Sequence, residues 1–277
     1  MFKNFNPHAI GHRATFEQTV QLARQFGFAG VDLDLPFIRE KGVEAAGDLL
    51  EKHNLRVGAF SLSVKWRDAD SDRDFADSLE QFVRDAKAAA ALGSTRCLTW
   101  VMPCSDVLDY RDHFILFVSR MRTVAQILKG FGQSLGLEFI GPKTLRVSRK
   151  HGFIYTMDGM RAAACAIGTG NVGFLLDSFH WYCAQADSTD ILDLNADEVV
   201  AVHLNDAVPG VDPKKQLDNQ RELPGVGVIQ LNEFLAALKK IGYTGPLTVE
   251  PFNQRVRELP LTDAVKLVAE SLDKLTI

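Results

Sequence analysis

The stretch Val172-Gly173-Phe174-Leu175-Leu176-Asp177 decides the fold, because a short apolar run leads directly into a carboxylate. A run of this length between turn residues is typical of a strand buried on both faces of a parallel sheet. Seven further runs share this character and define the other predicted strands, near Lys3–Asn6, Gly30–Leu35, Arg56–Ser61, Arg96–Val101, Gly136–Ile140, Val199–Asn205 and Pro246–Glu250. The sequence therefore predicts eight strands.

Between these strands lie longer stretches whose apolar residues recur at helical spacing. They predict helices near Thr15–Phe26, Val43–His53, Arg73–Leu92, Phe114–Gln133, Met157–Ile167, Leu231–Ile241 and Thr262–Leu275, with a short one near Thr189–Leu194. Alternating strands and helices indicate βαβ units, and 277 residues match the size of one eight-stranded barrel. No linker or composition break divides the chain. We therefore predict a single α/β domain over residues 1–277, a (β/α)8 TIM barrel.

Composition and charge exclude several classes of protein. The net charge is −4 and the basic residues are scattered, so the basic patch that nucleic-acid binding needs is missing. No run approaches the roughly 18 apolar residues of a membrane span, and the first residues do not resemble a secretory signal. We expect a cytoplasmic protein that binds neither nucleic acid nor membrane. Its four cysteines form no Cys-x-x-Cys pair and are expected to be reduced thiols.

Four of the predicted strands carry an ionisable residue near the C-terminal end: Glu138, Asp177, His203 and Glu250. Charged carboxylates are rarely buried in apolar runs unless they are paired or bind a metal, because desolvating a lone charge is costly. Parallel strands end at one rim of a barrel, so the four side chains are expected to converge there. Three oxygen donors and one imidazole suit Mn²⁺, Mg²⁺ or Co²⁺, with Zn²⁺ also compatible. A buried salt bridge is the alternative for any one of them alone.

Several segments of the second half of the chain resemble a known family. They are Leu137–Gly141, Val172–His180, Val202–Asp206, Arg221–Gly227 and Tyr243–Phe252. Together they resemble the xylose-isomerase-like TIM-barrel superfamily of sugar phosphate isomerases and epimerases, and within it the inosose isomerases most. The resemblance is strong from about Glu138 to Phe252 and only architectural before that. It implies one bound divalent ion, Mn²⁺ first, on the same four residues.

The resemblance also implies roles for individual residues. Glu138 and Glu250 would move a proton off and onto a carbon beside a carbonyl, through an enediolate. His180 matches a histidine that hydrogen-bonds substrate, and Arg221 matches an arginine that contacts substrate. These roles predict an isomerase or epimerase of carbohydrate or inositol metabolism that acts on a keto-sugar or inosose. Members of the family commonly form dimers and tetramers, so a homo-oligomer is compatible with the resemblance.

Three further residues are candidates for substrate binding, each with a structural alternative. Lys143 lies just beyond the fifth strand, where it would neutralise an anionic substrate or remain a solvated lysine. Trp66 would cover the apolar face of a sugar ring or pack beneath a loop. Asp206 would orient His203, bind substrate or cap a loop. Substrate specificity is expected in the first-half loops 32–38 and 64–70, where the resemblance is weakest.

Other activities remain open on the sequence alone. The same metal would serve dehydration of a keto-inositol or a 3-dehydroshikimate-like substrate. The apurinic endonuclease branch of the superfamily needs additional histidines at first-half strand ends, and segments 31–35 and 98–102 lack them. A non-catalytic barrel that binds metal and sugar is the alternative of another class, because one fold serves many functions.

Overall fold

The apolar runs form parallel strands of one curled sheet in a computed structural model that describes residues 1–277. The strands are β1 Phe2–Phe5, β2 Gly30–Val31, β3 Arg56–Val57, β4 Phe60–Ser61, β5 Arg96–Val101, β6 Cys104–Ser105, β7 Ser134–Phe139, β8 His151–Gly152, β9 Val172–Asp177, β10 Val199–Leu204 and β11 Pro246–Val249. Nine of them pair in the order β3-β2-β1-β11-β10-β9-β7-β5-β4, and β6 pairs with β8 as a separate antiparallel ribbon.

The two edges of the nine-stranded sheet are halves of one barrel strand. β3 pairs with β2 and β4 pairs with β5, and only Gly58 and Ala59 separate β3 from β4. At this interruption the backbone N–H of Ala59 donates to the side chain of Asp32 (2.9 Å). The sheet therefore closes into the predicted eight-position barrel, which confirms the (β/α)8 fold.

Helices surround the barrel and bury their apolar faces against it. They are α1 Phe16–Gln25, α2 Leu35–Lys52, α3 Asp72–Ala91, α4 Tyr110–Gly130, α5 Lys143–Arg146, α6 Met157–Ile167, α7 Ser178–Cys183, α8 Ser188–Leu192, α9 Leu231–Lys240, α10 Gln254–Glu258 and α11 Leu261–Asp273. No helix is both long enough and apolar enough to cross a membrane. The four cysteines are free thiols.

Helix α2 begins eight residues before the predicted Val43, so that predicted boundary was wrong. Asp34 caps the helix by accepting from the Phe37 N–H (2.9 Å), and Pro36 occupies its first turn. Gly42 interrupts the helix with φ of 90°, a left-handed value that glycine adopts without strain. Because of this break, the first turns do not continue the helical periodicity of residues 43–52, and the sequence pattern did not predict them.

Short helices at the barrel mouth were also missed. α5, α7 and α10 follow the fifth, sixth and eighth barrel strands, and each has six residues or fewer. Such helices are too short to show a hydrophobic period. The mostly irregular stretch 207–228 follows β10, and an antiparallel bridge between Asp206 and Glu222 connects it to the mouth of the barrel.

Candidate metal centre

The four predicted metal ligands lie at the C-terminal ends of β7, β9, β10 and β11. Asp177 ends β9, and His203 pairs with it in the register of β10. His203 also pairs with Thr248 of β11, two residues before Glu250. Glu138 precedes the last residue of β7. One ligand atom from each of the four residues lies within 4.8 Å of the others, so the structure brings the whole set together.

The donor atoms converge without satisfying one another. The Nδ1 atom of His203 lies 3.3 Å from Glu138 Oε1 and 3.3 Å from Glu250 Oε2. Both His203 Nδ1 and Glu138 Oε1 are buried and lack a hydrogen-bond partner of good geometry. Buried polar atoms are nearly always paired, so this nitrogen and this oxygen are available to bind a cation. The donor set therefore fits a divalent cation.

Charge at the centre is only partly compensated by the protein. Burial, reinforced by the neighbouring carboxylates, raises the pKa of Glu138 to about 8. Burial would also raise the pKa of Glu250, but His203 and Arg221 outweigh it and lower that pKa below its ordinary value. Burial disfavours the charged form of His203, yet Glu250 and Glu138 raise its pKa well above the ordinary value. A cation would complete the compensation and displace protons from Glu138 and His203.

Asn205 positions two of the ligands. The side-chain Nδ2 of Asn205 donates to Asp177 Oδ2 (2.5 Å), and the side-chain Oδ1 accepts from the backbone N–H of Glu250 (2.9 Å). The hydroxyl of Ser178 bonds to the backbone of Asn205 (2.8 Å). These buried bonds fix β9, β10 and the residue after β11 relative to one another. Hydrogen bonds behind a ligand commonly orient it in metal sites.

Arg221 reaches the centre from the stretch 207–228. Its Nη1 donates to Asp177 Oδ2 (3.1 Å) and to Glu250 Oε2 (3.3 Å). Its Nη2 bonds to Asp218 Oδ1 (2.8 Å) and to His180 Nε2 (3.1 Å). Burial, with Arg221 and His203 nearby, lowers the pKa of His180 well below its ordinary value, so the imidazole is neutral. The structure thus places His180 and Arg221, two of the five predicted substrate-binding residues, next to the metal ligands and fully buried.

The other three predicted substrate-binding residues lie apart from the ligand atoms. Lys143 is exposed at the start of α5. Asp206 is buried, and its carboxylate accepts from the backbone N–H groups of Ala207, Gly225 and Ile229, which is the geometry of a loop cap. Trp66 is buried against Phe117, with ring centroids 5.7 Å apart.

A cavity of about 200 Å³ opens above the centre, and residues that the sequence analysis did not single out line it. Glu138, His203 and Glu250 form one side. The other side comes from the first half of the barrel and includes Asn6, His8, Asp32, Ser61, Thr99 and Trp100. A wider cavity of about 580 Å³, which shares Asn6, His8, Asp32 and Ser61, continues outward past Arg13. The site therefore has room for a small polar ring and an approach from solvent.

Asp32 is the most firmly fixed of these additional residues. Its Oδ1 accepts from Asn4 Nδ2 (2.8 Å) and from the Ala59 N–H, and its Oδ2 accepts from Asn6 Nδ2 (3.0 Å). Burial is the main cause that raises the pKa of Asp32. The signal for this residue was present in the sequence, because Asp32 is a carboxylate inside the apolar run Val31–Leu35, like the four metal ligands.

Comparison with known proteins agrees with this geometry. The model of the xylose isomerase-like TIM barrel family matches residues 20–276, so the chain belongs to that family, as the sequence resemblance predicted. An inosose isomerase from Halalkalibacterium halodurans is 27% identical over 154 residues, an alignment that spans 56% of this chain and about half, 52%, of that relative.

Two solved structures share the fold over nearly the whole chain. A xylose isomerase domain protein from Alicyclobacillus acidocaldarius is 29% identical, with a TM-score of 0.89 over 99% of this chain and 97% of that one. The protein IOLI, solved with a bound zinc atom, is 19% identical, with a TM-score of 0.82 over 99% of this chain and 97% of its own. The second likeness concerns the fold alone.

Proposed function

We propose that this chain is a metal-dependent isomerase or epimerase that moves a proton between carbons of a keto-sugar or inosose. The convergence of Glu138, Asp177, His203 and Glu250 carries the proposal, because three carboxylates and an imidazole meet with unpaired atoms between them. The inosose isomerase relative and the zinc of the IOLI structure support the substrate class and a divalent metal. Mn²⁺ is the proposed ion, ahead of Mg²⁺, Co²⁺ and Zn²⁺.

The cation would polarise the substrate carbonyl and lower the energy of negative charge on its oxygens. Glu138 and Glu250 supply the proton transfers. One carboxylate accepts the proton from the carbon beside the carbonyl, and the electron pair of the broken C–H bond shifts toward the carbonyl oxygen. The other carboxylate returns a proton to carbon, so that substrate and product have the same composition.

Arg221 and Asp177 are assigned supporting roles in this reaction. Arg221 bonds to both Asp177 and Glu250, so it fixes the direction of the Glu250 carboxylate and stabilises its charged form. Asp177 is fully buried beneath these groups and also accepts from Asn205. Asp177 and His203 would therefore anchor the metal, whereas Glu138 and Glu250 would both bind it and exchange protons with substrate. His180 and Arg221 are fully buried and bond to each other, so we assign them first to positioning Asp177 and Glu250, and their contact with substrate oxygens stays a prediction.

Solvent deuterium exchange tests this proposal. The Mn²⁺-loaded protein is incubated in D₂O with a panel of ketoses and inososes, and the products are separated by mass. We expect one deuterium to enter one substrate at carbon. The substitution Glu250→Gln should abolish the exchange while metal stays bound, and Glu233→Gln, at an exposed position of α9, is the matched control.

Three outcomes would count against the proposal. A product lighter by one water would assign a dehydratase on the same metal. Binding of a substrate without any exchange or product would assign a non-catalytic barrel. Turnover that survives Glu250→Gln in the metal-loaded protein would remove that residue from the proton transfer.

A further inference from the structure

Trp100 is the exposed tryptophan of the chain and lies at the mouth of the barrel. It is 43% exposed, whereas Trp66 and Trp181 are each 5% exposed. In the register of β5 and β7 it pairs with Glu138, so the two side chains leave the sheet on the same face. Trp100 lines the 200 Å³ cavity together with Glu138, His203 and Glu250. A large apolar side chain is thus left uncovered beside the metal centre.

The indole of Trp100 is fixed from behind by Arg67. The guanidinium carbon of Arg67 lies 3.6 Å from the centroid of the Trp100 ring, and Arg67 Nη1 donates to the Trp100 carbonyl oxygen (3.3 Å). Arg67 lies also over Trp66, at 4.8 Å. Trp66 in turn packs on Phe117, and its carbonyl oxygen accepts from Arg120 (3.2 Å). Arg67 therefore covers one face of the Trp100 ring, and the residue also lines the cavity.

Asp32 provides a polar group elsewhere on the wall of the same cavity. Both of its oxygens face amide donors, and the Oδ2 atom accepts a single bond, from Asn6. A carboxylate oxygen has room for a further donor, such as a hydroxyl group. The cavity therefore combines an aromatic face, a carboxylate and the metal ligands. An aromatic face beside a carboxylate that accepts hydrogen bonds favours binding of one kind of ring. The hydroxyl groups of such a ring point outward along its edge, and its C–H bonds form a flat face.

We infer that Trp100, held by Arg67, is the platform on which the substrate ring stacks, and that the substrate is a ring compound whose ketone is a ring carbon, such as an inosose or a keto-pyranoside. The inference rests on the proposed function and narrows its substrate class, because an open-chain ketose has no flat C–H face to cover the indole. Trp100 thus takes the role of covering the apolar face of a sugar ring, which was predicted for Trp66. The Trp66 ring is itself covered by Phe117 and Arg67. Trp66 supports the platform from below.

Tryptophan fluorescence tests the platform without requiring turnover. The Mn²⁺-loaded protein is titrated with myo-inositol and, as an open-chain match with six carbons, with sorbitol. We expect the emission to change with myo-inositol and to stay constant with sorbitol. The response should disappear in Trp100→Phe and persist in Trp181→Phe, which removes a buried tryptophan that packs on Phe234. An equal response to sorbitol, or a response that survives Trp100→Phe, would overturn the inference.

Kinetics on the substrate found by deuterium exchange complete the test. We expect Trp100→Ala to raise KM by about tenfold or more, with kcat within about threefold of wild type, because the stacked ring is lost while the proton transfer groups remain. Trp100→Phe should recover most of the affinity. An unchanged KM in Trp100→Ala would overturn the platform and leave the proposed isomerase intact. A wild-type protein that exchanges no substrate proton would instead refute the proposed function.

Discussion

The two halves of the barrel present different chemistry at the same rim. The strand ends of the second half carry Glu138, Asp177, His203 and Glu250, whose donor atoms face one another across less than 5 Å. The strand ends of the first half carry Asn6, Asp32, Ser61 and Trp100, which face the cavity. We refer to these sets as the second-half donors and the first-half wall.

The difference separates two functions. Among the second-half donors, Glu138 Oε1 and His203 Nδ1 are buried without a hydrogen-bond partner, which fits a site that binds a metal. The first-half wall is already satisfied internally, with Asp32 accepting three hydrogen bonds, so it needs no ion. The proposed function therefore assigns proton transfer to the second half, and the further inference assigns ring recognition to the first. Asn4 joins them, because its amide donates to both Asp32 and Thr248 of β11 (2.9 Å).

The largest expected effect is on turnover. Replacing Glu138 by Gln keeps the shape of the side chain but removes a proton-transfer group, so we expect kcat to fall by about 10²–10⁴-fold. The measurement is initial-rate kinetics on the substrate identified by deuterium exchange, with Mn²⁺ saturating. Glu233→Gln serves as the control. A Glu138→Gln variant within tenfold of wild type would place the proton transfer outside the second-half donors.

Metal removal should have the next largest effect, on stability. A ligand at a concentration of about 100 times its Kd stabilises the folded state by about 2.7 kcal/mol. For a chain of this size that corresponds to a rise in Tm of roughly 5 °C. Differential scanning calorimetry with EDTA and with Mn²⁺ measures the shift. His203→Ala should abolish it, and His53→Gln, on the outer end of α2, should not.

Metal affinity should depend on pH. Burial raises the pKa of Glu138 to about 8, and its protonated form is a poor metal ligand. Below that pH the ion must displace the proton, so the apparent affinity for Mn²⁺ should fall by about tenfold or more for each pH unit. Calorimetric titrations in buffers of different ionisation enthalpy would count the released protons. Between pH 6 and 8 the expected difference in affinity is roughly a hundredfold. An affinity that stays constant over this range would contradict the prediction.

The smallest expected effect comes from the first-half wall. Asp32→Asn weakens the hydrogen bonds from Asn4, Asn6 and Ala59, so we expect the free energy of unfolding to fall by about 1–3 kcal/mol. Affinity for Mn²⁺ should stay within about threefold of wild type, while KM rises. Chemical denaturation and a Mn²⁺ titration measure the two. A loss of metal affinity as large as that of His203→Ala would abolish the distinction between the two halves.

The sequence was sufficient for the second-half donors because each is an ionisable residue within an apolar strand or directly after one. Strands β7, β9 and β10 have six residues each, so the side-chain alternation shows which residues share a face. The ends of such strands meet at one rim, and the constellation follows without knowledge of the loops.

The first-half wall was harder to predict for a physical reason. Strand β2 has two residues, and the third barrel strand is broken at Gly58, so too little alternation remains to tell which side chains face inward. Choosing between Trp66 and Trp100 requires the register of β5 with β7, which no local pattern contains. Asp32 carried a local signal, but its bonds to Asn4, Asn6 and Ala59 join segments far apart in sequence.

Anomalous X-ray diffraction from crystals grown with Mn²⁺ tests the central claim most directly. The account predicts one strong anomalous peak in the barrel, within bonding distance of Glu138, Asp177, His203 and Glu250, and its disappearance in His203→Ala. A peak bound by Asp32 instead, or no peak at the second-half donors at saturating Mn²⁺, would contradict the account.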